Sequence, residues 1–164
     1  MAMKDALLAE FDHEMAVTRR VLERVPTADN DWKPHAKSFS LGALAAHLAN
    51  IPSWLGTTLT ATDLDLSVGT PPRNIHATSA ALLADFDRKV AEGRARLAGT
   101  SDAELMQPWT LRAGDHVVFT MPRIGVLRSF IFSHAIHHRG QLTVYLRLRD
   151  VPVPAIYGPS ADEQ

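Results

Sequence analysis

The sequence contains no cysteine. That absence excludes disulfides, thiolate metal sites and a cysteine nucleophile. No apolar run approaches the roughly 20 residues that span a bilayer. Dense basic blocks are missing too: 17 Lys and Arg stand against 18 Asp and Glu, for a formal net charge of −1. A nucleic-acid surface needs a basic stripe that displaces counterions from phosphate. Neither nucleic acid nor a membrane is therefore expected as a partner. The opening "MAMKDALLAEFDHE" is charged too early for a secretory leader and has no apolar h-region, so a cytoplasmic protein is expected. What is present is ordinary: 164 residues, 46% hydrophobic and 21% charged, suit a single domain spanning 1–164 with a real core.

Helical periodicity dominates. From Lys4 to Val25 an apolar stripe runs through Leu7, Leu8, Phe11, Met15, Thr18, Val21 and Leu22, and Pro26 ends it. Ser40 is a good N-cap for a second helix carrying Leu41, Leu44, His47, Leu48, Ile51 and Leu55 on one side, with Pro52 placed to kink it. Residues 60–77 hold Gly, two prolines and no period, which predicts a long surface loop. Thr78 or Ser79 then caps a third helix that closes at Gly99, and Ser101 to Glu104 form a capping box. "WTLRAGDHVVFTMP" predicts a small hairpin or extended excursion around Gly114 and Asp115. A last helix is expected from about Pro122 to Arg149, followed by the proline-rich tail "VPVPAIYGPSADEQ" lying extended on the surface. The fold class expected is all-α, a four-helix bundle with that small excursion before the last long helix.

The last helix carries His134, His137 and His138. With His134 as zero, His138 lies about 40° away one turn along, and His137 about 60° to the other side. Leu127, Ile131, Leu142 and Tyr145 share the direction of His134 and His138, so these two face the core while His137 sits on the flank. An i, i+4 histidine pair is the spacing that brings two imidazoles to one metal, as in H-E-x-x-H sites. The intervening residues here are Ala-Ile-His, so the metalloprotease general base is missing. His47 offers a third imidazole, in the second helix where packing calls for an aliphatic. Two readings fit these residues equally: histidines hydrogen-bonded in a core, or a metal site built from inward-facing side chains.

Other residues have plainer expectations. His13, His35, His76 and His116 are expected to be solvated, and Trp32, Trp54 and Trp109 to form core or pocket walls. Gln141, about 20° from His134, is expected to line the pocket and satisfy a buried group in preference to orienting a ligand. Arg139 projects about 140° away. Gly140, unfavourable inside a helix by about 1 kcal/mol, suggests close backbone packing.

Three stretches, "DWKPHAKSFSLGALAAHLANIPSW", "FSHAIHHRGQLTVYLR" and "VPVPAIYGPSADE", resemble the DinB/YfiT-like proteins over essentially the whole length. The H-x-x-x-H-R-G-Q pattern and the tail's Y-G-P-S-A-D-E carry the resemblance. It implies a four-helix bundle with a divalent metal, zinc or nickel, held by three histidines, which match His47, His134 and His138. It also implies a homodimer, with which Phe132 and Ile136 are compatible because they point away from the metal pair and would otherwise be exposed, unless the same face packs within the monomer. The family name derives from DNA-damage induction and describes regulation; it is shared with an unrelated polymerase, for which this chain is too short.

Three neutral histidines leave a divalent ion at least one open position. Characterised relatives are thiol S-transferases using mycothiol or bacillithiol, together with a mycothiol-dependent isomerase. The resemblance thus implies an enzyme that activates a low-molecular-weight thiol, or water in a hydrolase, toward a small-molecule substrate. A non-catalytic metal- or ligand-binding stress-response protein is the alternative. No catalytic residue beyond the metal ligands is assigned by the sequence.

Overall fold

The apolar stripe of the first segment becomes α1, Met3–Leu22, which buries Leu7, Phe11, Met15 and Val21 along one face. The computed structural model describes residues 2–69 and 74–164. Ser40 caps α2, Leu41–Asn50, by accepting the Ala43 N–H at 3.2 Å. Pro52 has no N–H to continue the ladder. The chain takes a 3-10 turn at Ile51–Ser53 and resumes as α3, Trp54–Thr60. Thr78 caps α4, Ser79–Gly99, and the Ser101–Glu104 capping box opens α5, Asp102–Leu105.

The expected loop at 60–77 is more ordered than its lack of period suggests. Asp63–Asp65 forms a strand, β1, followed by a 3-10 turn at Leu66–Val68; Thr70 to Arg73 lie outside the described residues. The hairpin forms as expected, from β2, Pro108–Ala113, and β3, His116–Pro122, turning at Gly114 with φ +60°. Because β1 pairs parallel to β2, the sheet has three strands in the order β1-β2-β3. The pairing rests on charge. Arg112 reaches Asp63 at 2.6 Å and Asp65 at 2.5 Å, and Asp65 accepts the Gly114 N–H at 2.9 Å. That backbone N–H, with the Ser67 hydroxyl and amide, holds the Asp65 carboxyl down to about 2. The protein is thus mostly helical with a minor sheet, because a remote acidic stretch adds a third strand to the hairpin.

The last helical stretch runs as α6, Arg123–Val126, a π-helical segment, Leu127–Phe132, and α7, Ser133–Leu148. The long helices enclose one core. α1 packs on α4 and α7, and α2 packs on the same two. A smaller cluster of Trp109, Leu111 and Val126 lies beneath the sheet. Among the described residues no helix is long and apolar enough to cross a membrane.

Two expectations about the last helix are corrected. Phe132 is 1% exposed, packed against Phe11 with ring centroids 6.1 Å apart. The α1 helix covers that side within one chain, so Phe132 offers no exposed apolar face. Gly140 answers to no close packing: a Cβ there would meet nothing within 4 Å. Gly93 is the glycine that does, since its Cβ would stand 2.9 Å from the Pro52 carbonyl oxygen.

The tail from Val151 onward does not run extended as expected but turns back on itself. Asp162 accepts from the Val153 N–H at 2.8 Å and Ser160 Oγ donates to the Val153 carbonyl at 2.7 Å, and Tyr157 anchors the tail to a buried ion pair. Arg139 and Glu14 meet at 2.7 Å, their side chains 1% and 8% exposed. The Arg139 guanidinium also donates to Thr18 Oγ1 and the Glu14 carbonyl, both at 3.1 Å. The Tyr157 hydroxyl bridges the pair, 2.8 and 2.9 Å from the two Glu14 oxygens and bonded to Arg139. Burial, then the neighbouring Glu14 carboxylate, pushes the Tyr157 phenol upward. Arg139 points away from the histidine pair, as its angle requires, and its partner was visible in the sequence as an acid within the α1 apolar stripe.

Candidate metal centre

His47 replaces an aliphatic on the inner face of α2 and is 5% exposed. His134 and His138 stand one turn apart on α7, half-buried and facing it. The three side chains meet tip to tip: His134 Nε2 lies 3.1 Å from His47 Nε2 and 2.7 Å from His138 Nε2. One donor nitrogen from each ring lies within 4.8 Å of the other two. The three residues selected from helical spacing are therefore brought together. His137 is exposed, with its ring against His138 at 4.9 Å, and stays outside the group.

A hydrogen bond between two rings accounts for one of these contacts at a time. An imidazole nitrogen has one in-plane position, a hydrogen or a lone pair. His134 Nε2 can thus pair with only one of its two neighbours at a time. A cation instead accepts a lone pair from every ring, and tetrahedral zinc with N ligands at 2.0–2.1 Å implies N···N edges of about 3.3 Å. The His47–His134 spacing of 3.1 Å is close to that edge and the His134–His138 spacing of 2.7 Å is shorter than it. Imidazole donors without thiolate suit zinc, nickel, copper or iron.

Gln141 decides how one ring presents itself. Its Oε1 accepts from His138 Nδ1 at 2.7 Å. A proton held on Nδ1 leaves the Nε2 lone pair for a metal, the usual role of the second partner of a ligating histidine. The expectation that Gln141 satisfies a buried group is thereby corrected: Gln141 is exposed and bonds the half-buried His138. The clue was in the sequence, since Gln141 lies one turn beyond His138.

Aromatic rings wall the site. Trp54 sits edge-on to His134 at 5.1 Å and stacks on Phe130 at 5.3 Å; Phe130 meets His134 at 5.7 Å. Phe39 covers the other side, 6.0 Å from His47 and 6.4 Å from His138. Phe130 belongs to the π-helical segment, a device frequent at functional sites. Helical spacing gave no sign of it, because π geometry follows from packing. The imidazoles open into a cavity of about 620 Å³ lined also by Asn50, Ser53, Leu64, Lys89 and Trp109, within the range of small-molecule sites. Trp54 and Trp109 are thus pocket walls, as expected, while Trp32 packs against Tyr145 at 5.6 Å.

Of the remaining histidines, His13, His35 and His116 are exposed as expected. His76 is not: its side chain is 11% exposed and its Nε2 lies 3.1 Å from Asp85. Burial raises the Asp85 carboxyl, but hydrogen bonds from Lys89, Arg88 and His76 outweigh that and hold it at about 2.

The chain is 25% identical to the uncharacterised protein YrdA of Bacillus subtilis over 159 residues, covering 97% of this chain and 90% of that one. Its fold is similar to the crystal structure of a DinB-like protein from Bacillus cereus, with TM-score 0.70, 20% identity, and 93% and 97% of the two chains covered. The DinB-like protein YjoA of Bacillus subtilis gives TM-score 0.68 at 18% identity, covering 90% of this chain and 96% of that one. The DinB family model matches residues 1–164. With its fold, its histidine triad and this full-length match, the chain belongs to the DinB family.

Proposed function

We propose that this protein is a metal-dependent enzyme in which His47, His134 and His138 hold a divalent ion, zinc or nickel, on the inner faces of a four-helix bundle. The observation that carries the reading is the convergence of the three Nε2 atoms, 3.1 and 2.7 Å apart about His134. Bound there, the ion supplies Lewis acidity that favours the ionised form of a nucleophile. Gln141 keeps His138 in the ligating tautomer, and Phe39, Trp54 and Phe130 shield the rings from bulk water. The cavity beyond them receives the substrate.

A small thiol is the nucleophile proposed, in an S-transferase reaction on an electrophile. A thiol near about 8.5 needs a far smaller shift than water to ionise at neutral pH. Among the described residues no carboxylate lines the cavity to serve as a general base. With no cysteine in the chain, the thiol comes from the cosubstrate. A cytoplasmic homodimer is proposed on the resemblance.

Elemental analysis of untagged protein tests the foundation: about one ion per chain is expected, lost in His134→Ala and in His138→Ala but kept in His137→Ala. Absence of a bound ion in the unsubstituted protein overturns the reading. Turnover of an electrophile with and without added low-molecular-weight thiol then separates transferase from hydrolase. Equal rates remove the transferase, and saturable binding without turnover points to a ligand-binding protein.

A further inference from the structure

Lys89 is the one formally charged side chain among the described residues that line the cavity above the histidine triad. It reaches there from α4, on the wall supplied by neither α2 nor α7. Its side chain is 14% exposed, and Nζ bonds Asp85 Oδ2 at 2.6 Å. An ammonium carries three N–H donors, of which Asp85 takes one. Asp85 does not line the cavity, and its charge is shared with Arg88 at 2.8 Å and His76 at 3.1 Å. Arg88 is itself shared with Glu92 at 2.8 Å on the solvent side. The carboxylate therefore anchors the lysine from behind while leaving donors directed away from it.

The cavity's electrostatics follow. Neutral imidazoles leave a divalent ion its full charge, Lys89 adds a second positive centre, and no lining carboxylate among the described residues opposes them. Between the two lie the apolar surfaces of Trp54, Leu64, Trp109 and Phe130. We propose that the substrate of this site is an organic anion whose reacting end lies at the metal and whose carboxylate is held by Lys89 across an apolar body. The proposal rests on the metal reading for the first contact only; the second is made by the protein itself. A charge-assisted hydrogen bond between ammonium and carboxylate is stronger than the one a neutral amide oxygen accepts, so the site discriminates between them.

The probes are mercaptohexanoate and mercaptohexanamide, alike in length and thiol but differing in the charge of the far end, titrated calorimetrically into zinc-loaded protein. The acid is expected to bind about tenfold tighter than the amide. Lys89→Met removes that preference, Lys89→Arg retains it, and zinc affinity is the same in all three proteins. Equal binding of acid and amide to the unsubstituted protein overturns the proposal, as does a preference that survives Lys89→Met. The same pair is titrated into zinc-free protein. A charge preference there that depends on Lys89 upholds the anion site even where zinc fails to bind, so failure of the metal reading is distinguished from failure of this one. No such preference in either form overturns it.

Discussion

Gln141 Oε1 lies 2.7 Å from His138 Nδ1, one turn along the same helix. This bond sets which nitrogen of His138 carries the proton, and it links the Gln of the H-R-G-Q pattern to the histidine face of α7. Gln141→Ala is expected to weaken zinc binding about 10- to 100-fold, the usual effect of removing such a partner. Competition with a chromophoric chelator measures it. Gln141→Glu, which keeps the acceptor, should retain most of the affinity, and an unchanged Kd in the alanine variant would show that packing alone orients the ring.

The Arg of the same pattern serves the opposite face. Arg139→Ala strands Glu14, 8% exposed, and such a loss costs roughly 3–5 kcal/mol. Tyr157→Phe removes only the bridging hydroxyl and should cost about 1 kcal/mol. Urea unfolding gives both values. Limited proteolysis should cut the tail beyond Val151 faster in Tyr157→Phe, while zinc affinity stays unchanged.

Two glycines predict opposite signs. In Gly93→Ala the new Cβ meets the Pro52 carbonyl oxygen at 2.9 Å. That atom is backbone and cannot swing aside, so overpacking of about 1–3 kcal/mol outweighs the gain of about 1 kcal/mol in helix propensity. Gly140→Ala meets nothing within 4 Å and should stabilise by about 1 kcal/mol. Thermal melts of the two variants are expected to move in opposite directions.

Acid should loosen the α4 cluster. The folded Asp85 carboxyl titrates at about 2 instead of its ordinary 3.8. Its contribution is present in full above that ordinary value and is lost as pH falls toward about 2, because the unfolded chain takes up the proton first. Urea midpoints measured across this window should fall with pH, and less steeply in Asp85→Asn. Asp65, also lowered to about 2, leaves part of the slope in that variant. Parallel slopes would show that Asp85 contributes nothing to it.

Local signals in the chain were enough to determine the long helices, several of their caps and the inward histidines, but not the π-helical turn of Leu127–Phe132. Ser40, Thr78 and the Ser101–Glu104 box act on backbone groups within a few residues, and a 3.6-residue period places His134 beside His138 whatever else the chain does. The third histidine was legible as a polar residue in an aliphatic stripe, but the 3.1 Å approach of His47 to His134 exists only because α2 packs against α7. Tertiary structure alone decided the rest. It paired Asp63–Asp65 with β2 through Arg112, buried Phe132 under α1, locked Arg139 to Glu14 and Tyr157, and carried Lys89 to the cavity wall. Each of these joins residues far apart in sequence, and their favourable energy arises only when desolvated charges or apolar faces meet, which no window of neighbouring residues encodes.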